Sequence, residues 1–378
     1  MSFVNTTTPT AQTDVVSELV TLFYFETTNV VSNGGISLLP TVSYKHRIIV
    51  SALLLFVSLL GMAGNFLVIL SVMVSKKLQT PTNVLVVSLA VADLMTCLII
   101  PLQVVMLLSQ SDWPLPEVVC KGIVYMSYAA ICCSVMTLTA IAIIRWYVIT
   151  RSVHGYHGIN THRSMITVAI ITWIASFIAM VTPPSLGIGS VGYSEFYRLC
   201  SVTDDNPLRA FYVLIQAIIL VLALFVTAVF YILILHFVMK STKSFRTKFR
   251  EDEAPKGTKE NQSNTTENGM STNARFNKRE IEITKNLFVV VCVFVLCMSP
   301  QGVNFIIPGA SIFTLYSGAI MSFNSTLNPI IYGLKHPNFK EVFRFLLTCN
   351  VSGISQPVNK AKAKNDTRST SLTTNKPN

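Results

Sequence analysis

The chain has 378 residues, is 51% hydrophobic and only 12% charged, and carries a formal net charge of +11. With a mean hydropathy of +0.54, it is excluded from the ordinary soluble domains, in which about a quarter of residues are charged. The cationic excess is then expected to set membrane topology and attract anionic lipid, not to bind nucleic acid.

Residues 1–47 form an N-terminal tail that opens with the sequon Asn5-Thr6-Thr7, which makes Asn5 a glycosylation candidate. The tail lacks a basic segment followed by a long apolar core, which argues against a cleaved signal peptide. Seven apolar runs follow, over 48–74, 82–108, 118–148, 164–186, 208–239, 281–307 and 312–334. Each is about the length needed to cross a bilayer as a helix. The seventh is the weakest, because Pro329 and several polar residues interrupt it, an arrangement neighbouring helices can satisfy. The predicted architecture is an all-α membrane protein, with a seven-transmembrane helix bundle over 48–334. A short amphipathic helix over 335–348 and a cytoplasmic tail over 349–378 follow. Two stretches, 251–277 and the chain after about 351, have the polar composition of disorder.

Orientation follows from Lys and Arg in the connecting segments. Lys76 and Lys77, then Arg151 and Arg163, then Lys240, Lys243, Arg246, Lys248 and Arg250 fall on one side. The alternate loops hold Asp112, Glu117, Glu195, Asp204 and Asp205. The N-terminus is therefore expected outside and the C-terminus inside, as in a multi-pass plasma-membrane protein.

Asp93 sits midway along the second run with no other ionisable group near it in that run. A carboxylate at the centre of a membrane helix costs roughly 2.5–3.5 kcal/mol on insertion scales, and such a group normally faces a bundle interior. The cysteines divide by compartment. Cys97, Cys132, Cys133, Cys292 and Cys297 lie in spans, where a small apolar residue is the simplest reading. Cys120 and Cys200 remain near the oxidising outer face, where a disulfide between them would hold the loop before the fifth span over the bundle mouth. Cys349 follows the amphipathic run 338–347 and is a palmitoylation candidate, with an unmodified thiol as the alternative.

Several landmarks recur in order: Gly64-Asn65, Leu89–Leu94 around Asp93, Trp173, Pro300, and Asn328-Pro329-Ile330-Ile331-Tyr332. In these the chain resembles the rhodopsin-like (class A) G-protein-coupled receptors from about 48 to 348. Asn324-Ser325 and Ile331-Tyr332-Gly333-Leu334 are similar to the melatonin-receptor neighbourhood and related orphan receptors.

The resemblance implies roles and also exposes departures. Arg145 stands in Ile144-Arg145-Trp146, without the adjacent acid that such receptors usually carry. Glu280, twenty residues before Pro300, is the remaining acid that the resemblance sets against Arg145. Loss of one of two restraints predicts raised basal activity. Met298 occupies the place of the family's usual tryptophan switch, and Ala223 that of the fifth-helix proline. A straighter fifth helix is expected. Pro300 still permits a kink, and Tyr231 and Tyr332 are inner-face partners for Arg145.

Around Asp93 the resemblance gathers Ser134, Asn324, Ser325 and Asn328, with Asn65 close by. Carboxylate, hydroxyl and amide oxygens are hard ligands suited to an allosteric Na⁺; the alternative is a water-filled polar network. No resident cofactor is expected. No acid lies between Cys120 and Arg145, and Ser127 stands where amine receptors carry their carboxylate. A monoamine is disfavoured, and the absence of Lys from 312–334 excludes retinal. The implied pocket wall combines Gln103, Met106, Ser127, Tyr128, Ile131, Gln216, Gln301, Asn304 and Phe305. Such an uncharged wall suits a neutral or lipid-like small molecule, and Arg198 offers a contact for an acidic group. The implied partners are a heterotrimeric G protein beside Arg145, arrestin after phosphorylation of the tail's Ser and Thr residues, and membrane lipids. The competing reading is an ion-coupled transporter or channel with Asp93 on the ion path, but no internal repeat supports it. No constellation of an enzyme stands out.

Overall fold

The computed structural model describes residues 42–110, 116–152, 160–195, 197–203, 205–252, 288–304 and 312–348. In chain order these form α1 (Tyr44–Val74), α2 (Pro81–Leu108), α3 (Glu117–Ser152), α4 (His162–Ser185), β1 (Ser190–Ser194), β2 (Leu199–Thr203) and α5 (Arg209–Asp252). Then come α6 (Phe288–Asn304), α7 (Ile312–Lys335) and α8 (Pro337–Leu347). Asn5, Glu280, Phe305, Cys349 and the tail lie outside the described residues.

Five helices, α1 to α5, are long and apolar enough to cross a membrane. Their apolar residues run all the way round, so large side chains such as Phe56, Leu59, Ile170 and Phe225 remain exposed on the bundle's outer surface, as lipid-facing helices require. α3 is the most buried of the five and α5 the least. α3 runs through the middle, touching α2, α4, α5 and both strands, while α1 closes the ring by packing on α2 and α7.

Three helix starts carry an identifiable signal. Pro81 and Pro337 stand at the first positions of α2 and α8, where a missing N–H costs nothing. Thr161 caps α4 by accepting a hydrogen bond from the Ser164 amide at 3.2 Å. α8 lays Phe339 and Val342 on the bundle, and Lys77 reaches Glu341 at 3.3 Å to tie the first connection to it.

Prolines inside the helices leave carbonyls without their helical donor, and at four of these prolines a side chain takes that donor's place. Pro101 frees the Cys97 carbonyl, which accepts from Ser58 Oγ of α1 at 2.7 Å. Pro329 frees that of Ser325, which accepts from Asn65 Nδ2 at 2.8 Å. Pro184 frees that of Met180, which accepts from the Tyr212 hydroxyl of α5 at 2.8 Å. In α6, Ser299 Oγ donates to the Leu296 carbonyl that Pro300 leaves open, at 3.0 Å. Close approach matters too: a Cβ on Gly64 would lie 2.8 Å from Pro329 Cβ, so α1 meets α7 only through glycine.

The structure departs from the sequence expectations at three places. α1 begins at Tyr44, inside the stretch read as tail. α5 continues past 239 to Asp252, two residues into the stretch read as disordered. The basic run after Phe237 contains no Pro or Gly, so loss of hydrophobicity marks the end of the span and not of the helix. The third is an antiparallel hairpin, β1–β2, pairing Val191 with Val202 and Tyr193 with Cys200. Arg198 in its turn takes φ +55, and Gly189 before it takes φ +81.

Candidate functional site

Asp93 of α2 is completely buried. Ser134 Oγ of α3 donates to its Oδ1 at 3.2 Å, and Asn328 Nδ2 of α7 donates to its Oδ2 at 2.7 Å. No ion pair to Asp93 occurs among the described residues. Beside the carboxylate lies a small cavity, about the size of one water or one small ion. Asp93, Ser134, Asn324, Ser325, Ile131 and Met298 help to line it.

Four of the five residues expected at the ion site therefore share this cavity, and Asn328 completes the set by binding Asp93 directly. The Oδ1 atom of Asn328 is buried with no hydrogen-bond partner. Asn65 does not reach the carboxylate: its amide donates to the Gly61 and Ser325 carbonyls at 2.9 and 2.8 Å. Two residues were expected elsewhere. Ile131 was read as ligand-pocket wall, and Met298 as a switch, yet both face the same cavity. Met298 also belongs to the apolar core that holds Tyr231 and Tyr332, so one side chain borders both the Asp93 cavity and the half of the bundle toward α8.

At the hairpin end, Cys120 of α3 and Cys200 of β2 form a buried disulfide with Cα atoms 5.4 Å apart. Gln103 grips the same residue twice. Its Nε2 donates to the Cys200 carbonyl at 3.0 Å, and its Oε1 accepts from the Cys200 amide at 3.1 Å. Val191 and Val202 of the hairpin pack with Met106 and Tyr128.

The expected pocket wall is thus largely engaged by the protein itself. Gln103 braces β2, while Gln301 Oε1 accepts from Ser317 at 2.8 Å and Asn304 Oδ1 from Thr314 at 2.7 Å, joining α6 to α7. Ser127 donates to the Ile123 carbonyl at 2.7 Å within its own helix. Gln216 differs, since its buried Nε2 has no acceptor.

At the opposite end, Arg145 lies within electrostatic reach of Tyr231 and Tyr332. Both phenols are buried, and the Tyr332 ring stacks on Phe339 of α8 at 5.5 Å. Above them Thr139 of α3 bonds Thr227 Oγ1 at 2.9 Å and the Ala223 carbonyl at 3.2 Å. This α3–α5 link was not foreseen, because a threonine in a span usually bonds only its own helix. α5 is helical without interruption past Ala223.

Seven helices around a buried polar centre, a disulfide-held hairpin at one end and a short helix at the other define a seven-helix membrane receptor. The model of the 7 transmembrane receptor (rhodopsin family) matches residues 64–332. The chain belongs to that family, and is a multi-pass membrane protein of the G-protein-coupled class. It is 27% identical over 345 residues to the thyrotropin-releasing hormone receptor of Gallus gallus, covering 86% of this chain and 85% of that one. It is also 27% identical over 311 residues to melatonin receptor type 1C of Xenopus laevis, covering 79% and 67% respectively. The crystal structure of squid rhodopsin superposes with a TM-score of 0.71 at 19% identity, over 92% of this chain and 98% of that one, a likeness of fold.

Proposed function

We propose that the chain is a plasma-membrane receptor, N-terminus outside, that transduces a non-amine small molecule into activation of a heterotrimeric G protein. The ligand is neutral or lipid-like and binds toward the hairpin end, where Tyr128 and the unsatisfied Gln216 amide supply polar contacts among apolar neighbours. The G protein binds beside Arg145, arrestin binds the phosphorylated tail, and basal activity is raised because Arg145 lacks an adjacent acid.

The observation that carries this reading is the buried, ion-unpaired carboxylate of Asp93 in a cavity shared by α2, α3, α6 and α7. The donor set fits a sodium ion. Asp93, Ser134 and Ser325 supply hard oxygens around a space of the right size, and the orphaned Asn328 Oδ1 adds an acceptor. Asp93, Ser134, Asn324, Ser325 and Asn328 would hold it. Bound there, sodium would neutralise the carboxylate beside Met298 and so favour the packing in which α6 stays closed. The test is G-protein dissociation in cells expressing the chain, first without ligand and then against a small-molecule library. Ligand-free coupling above that of untransfected cells is expected, and its absence together with no response to any compound would overturn the reading.

A further inference from the structure

One contact between helices is built differently from the others. Ser58, Asn65 and Tyr212 each serve a carbonyl that a proline has deprived of its helical donor, so those bonds cannot open without stranding an oxygen. Thr139 of α3 and Thr227 of α5 are under no such constraint. Thr139 Oγ1 lies 2.9 Å from Thr227 Oγ1 and 3.2 Å from the Ala223 carbonyl, both on α5. It also lies 3.0 Å from the Val135 carbonyl, one turn back on its own helix. Thr227 Oγ1 donates to the Ala223 carbonyl at 2.7 Å, again within its own helix.

Each hydroxyl has a single proton to give. With the Thr227 proton on Ala223, the Thr139 proton goes either to α5, which closes the link, or to Val135, which releases it. Neither arrangement leaves a buried polar group without a partner, so α3 and α5 part here for the loss of one interhelical hydrogen bond. The position of the pair gives that loss a consequence. Gln216, Ala223, Thr227 and Tyr231 follow at steps of seven, four and four residues, which places them along one stripe of α5. Gln216 stands toward the hairpin with its buried Nε2 unsatisfied. Tyr231 is buried within reach of Arg145 and packs against Phe288 of α6. No Pro or Gly separates Gln216 from Tyr231, so this length of α5 moves as one rod. The rod packs on α3 and only lightly on α4. A shift begun at Gln216 must open the Thr139 link before Tyr231 can leave Arg145.

We propose that Thr139 and Thr227 form a one-proton latch between α3 and α5, closed at rest and released when α5 moves. They are positioning residues, which act by holding Tyr231 over Arg145. The effect on signalling rests on the receptor reading above; the latch itself does not. α3 and α5 meet again two turns beyond Thr139, where Trp146 lies edge-on to Phe237 at 6.1 Å, and that indole reports the state of the latch.

The test uses the full chain in nanodiscs, labelled with 5-fluorotryptophan. It reads the fluorine resonance of Trp146, assigned with Trp146→Phe, and ligand-free nucleotide exchange on a panel of purified heterotrimeric G proteins. Thr139→Val keeps the shape of the side chain and removes the hydroxyl through which both contacts to α5 run. The Trp146 resonance should shift or split, while melting stays at the wild-type temperature. Exchange should rise about threefold, the average worth of one interhelical hydrogen bond in a membrane bundle. The resonance of Trp173, on α4 and bonded to Ser88, should not move. Thr227→Val should do no more than Thr139→Val, and the double variant should equal Thr139→Val, because one shared bond is lost once. Thr139→Ser keeps the hydroxyl and should match the wild type. An unmoved Trp146 resonance in Thr139→Val, or additive effects in the double variant, would overturn the latch. So would lower melting with unaltered exchange, which is the mark of a purely structural pair. If the wild type drives exchange on no heterotrimer, the receptor reading falls, and the Trp146 resonance still decides the latch.

Discussion

Asn328 holds Asp93 across the bundle, its Nδ2 donating to the carboxylate Oδ2 at 2.7 Å over a sequence separation of 235 residues. α7 is thereby fixed to α2 at the cavity that Met298 of α6 also lines. Anything that changes the charge of Asp93 acts on three helices together. Asp93→Asn keeps the size of the side chain and removes the charge. Removing sodium should raise basal nucleotide exchange of the wild type by about fivefold, at the lower end of typical allosteric coupling, and leave the variant unmoved. A variant that still responds to sodium would refute the ion site.

Asn65 gives a test of the proline carbonyls. Asn65→Ala strands the Ser325 oxygen inside the bundle, and should lower stability by about 1–2 kcal/mol. Pro329→Ala restores the backbone donor, so the double variant should regain part of that loss. Melting of the single and double variants in one detergent measures the difference; a strictly additive loss would show that Asn65 does not serve that oxygen.

The hairpin is held by two devices of unequal strength. Cys120→Ser with Cys200→Ser should cost about 2–4 kcal/mol, since the bond closes a long loop. Gln103→Ala removes two hydrogen bonds to one residue and should cost about 1–2 kcal/mol. The ordering is read as melting temperature under non-reducing conditions. Reducing agent should bring the wild type to the double-cysteine variant and leave Gln103→Ala still lower than the wild type.

Glu280→Ala removes the second restraint that the resemblance assigns to Arg145. Ligand-free coupling should rise above the wild-type level, and Arg145→Gln should abolish it in either background. An unaltered basal signal in Glu280→Ala, measured at equal surface expression, would show that Glu280 restrains nothing.

What the sequence disclosed and what it hid divide along a physical line. Asp93 was conspicuous because a charge in an apolar run must have partners, and three of the residues named beside it, Ser134, Asn324 and Ser325, line its cavity. The cysteine pair was legible because only two of the eight fell at the face expected to be oxidising, and these two are bonded. Gln103, Gln301 and Asn304 were read as ligand contacts, and each also has a partner within the protein. A polar side chain in an apolar helix announces that it has a partner without saying which, and here the partners are a strand backbone and two α7 hydroxyls. The hairpin was invisible for a related reason. Its strands are five residues each, and they are held as much by α2 and α3 as by their own pattern.

Pro101, Pro184 and Pro329 have one more consequence. Each exposes a single oxygen at a fixed height, and a side chain on one particular neighbour meets it: Ser58, Tyr212 or Asn65. In lipid, apolar helices would slide past one another at little cost, since every face is equally greasy. These oxygens act as notches in a ruler. A helix displaced by one turn loses its notch and leaves a bare carbonyl with no water to meet it, so the vertical alignment of the bundle is encoded by a few hydrogen bonds and not by the hydrocarbon that makes up most of its surface.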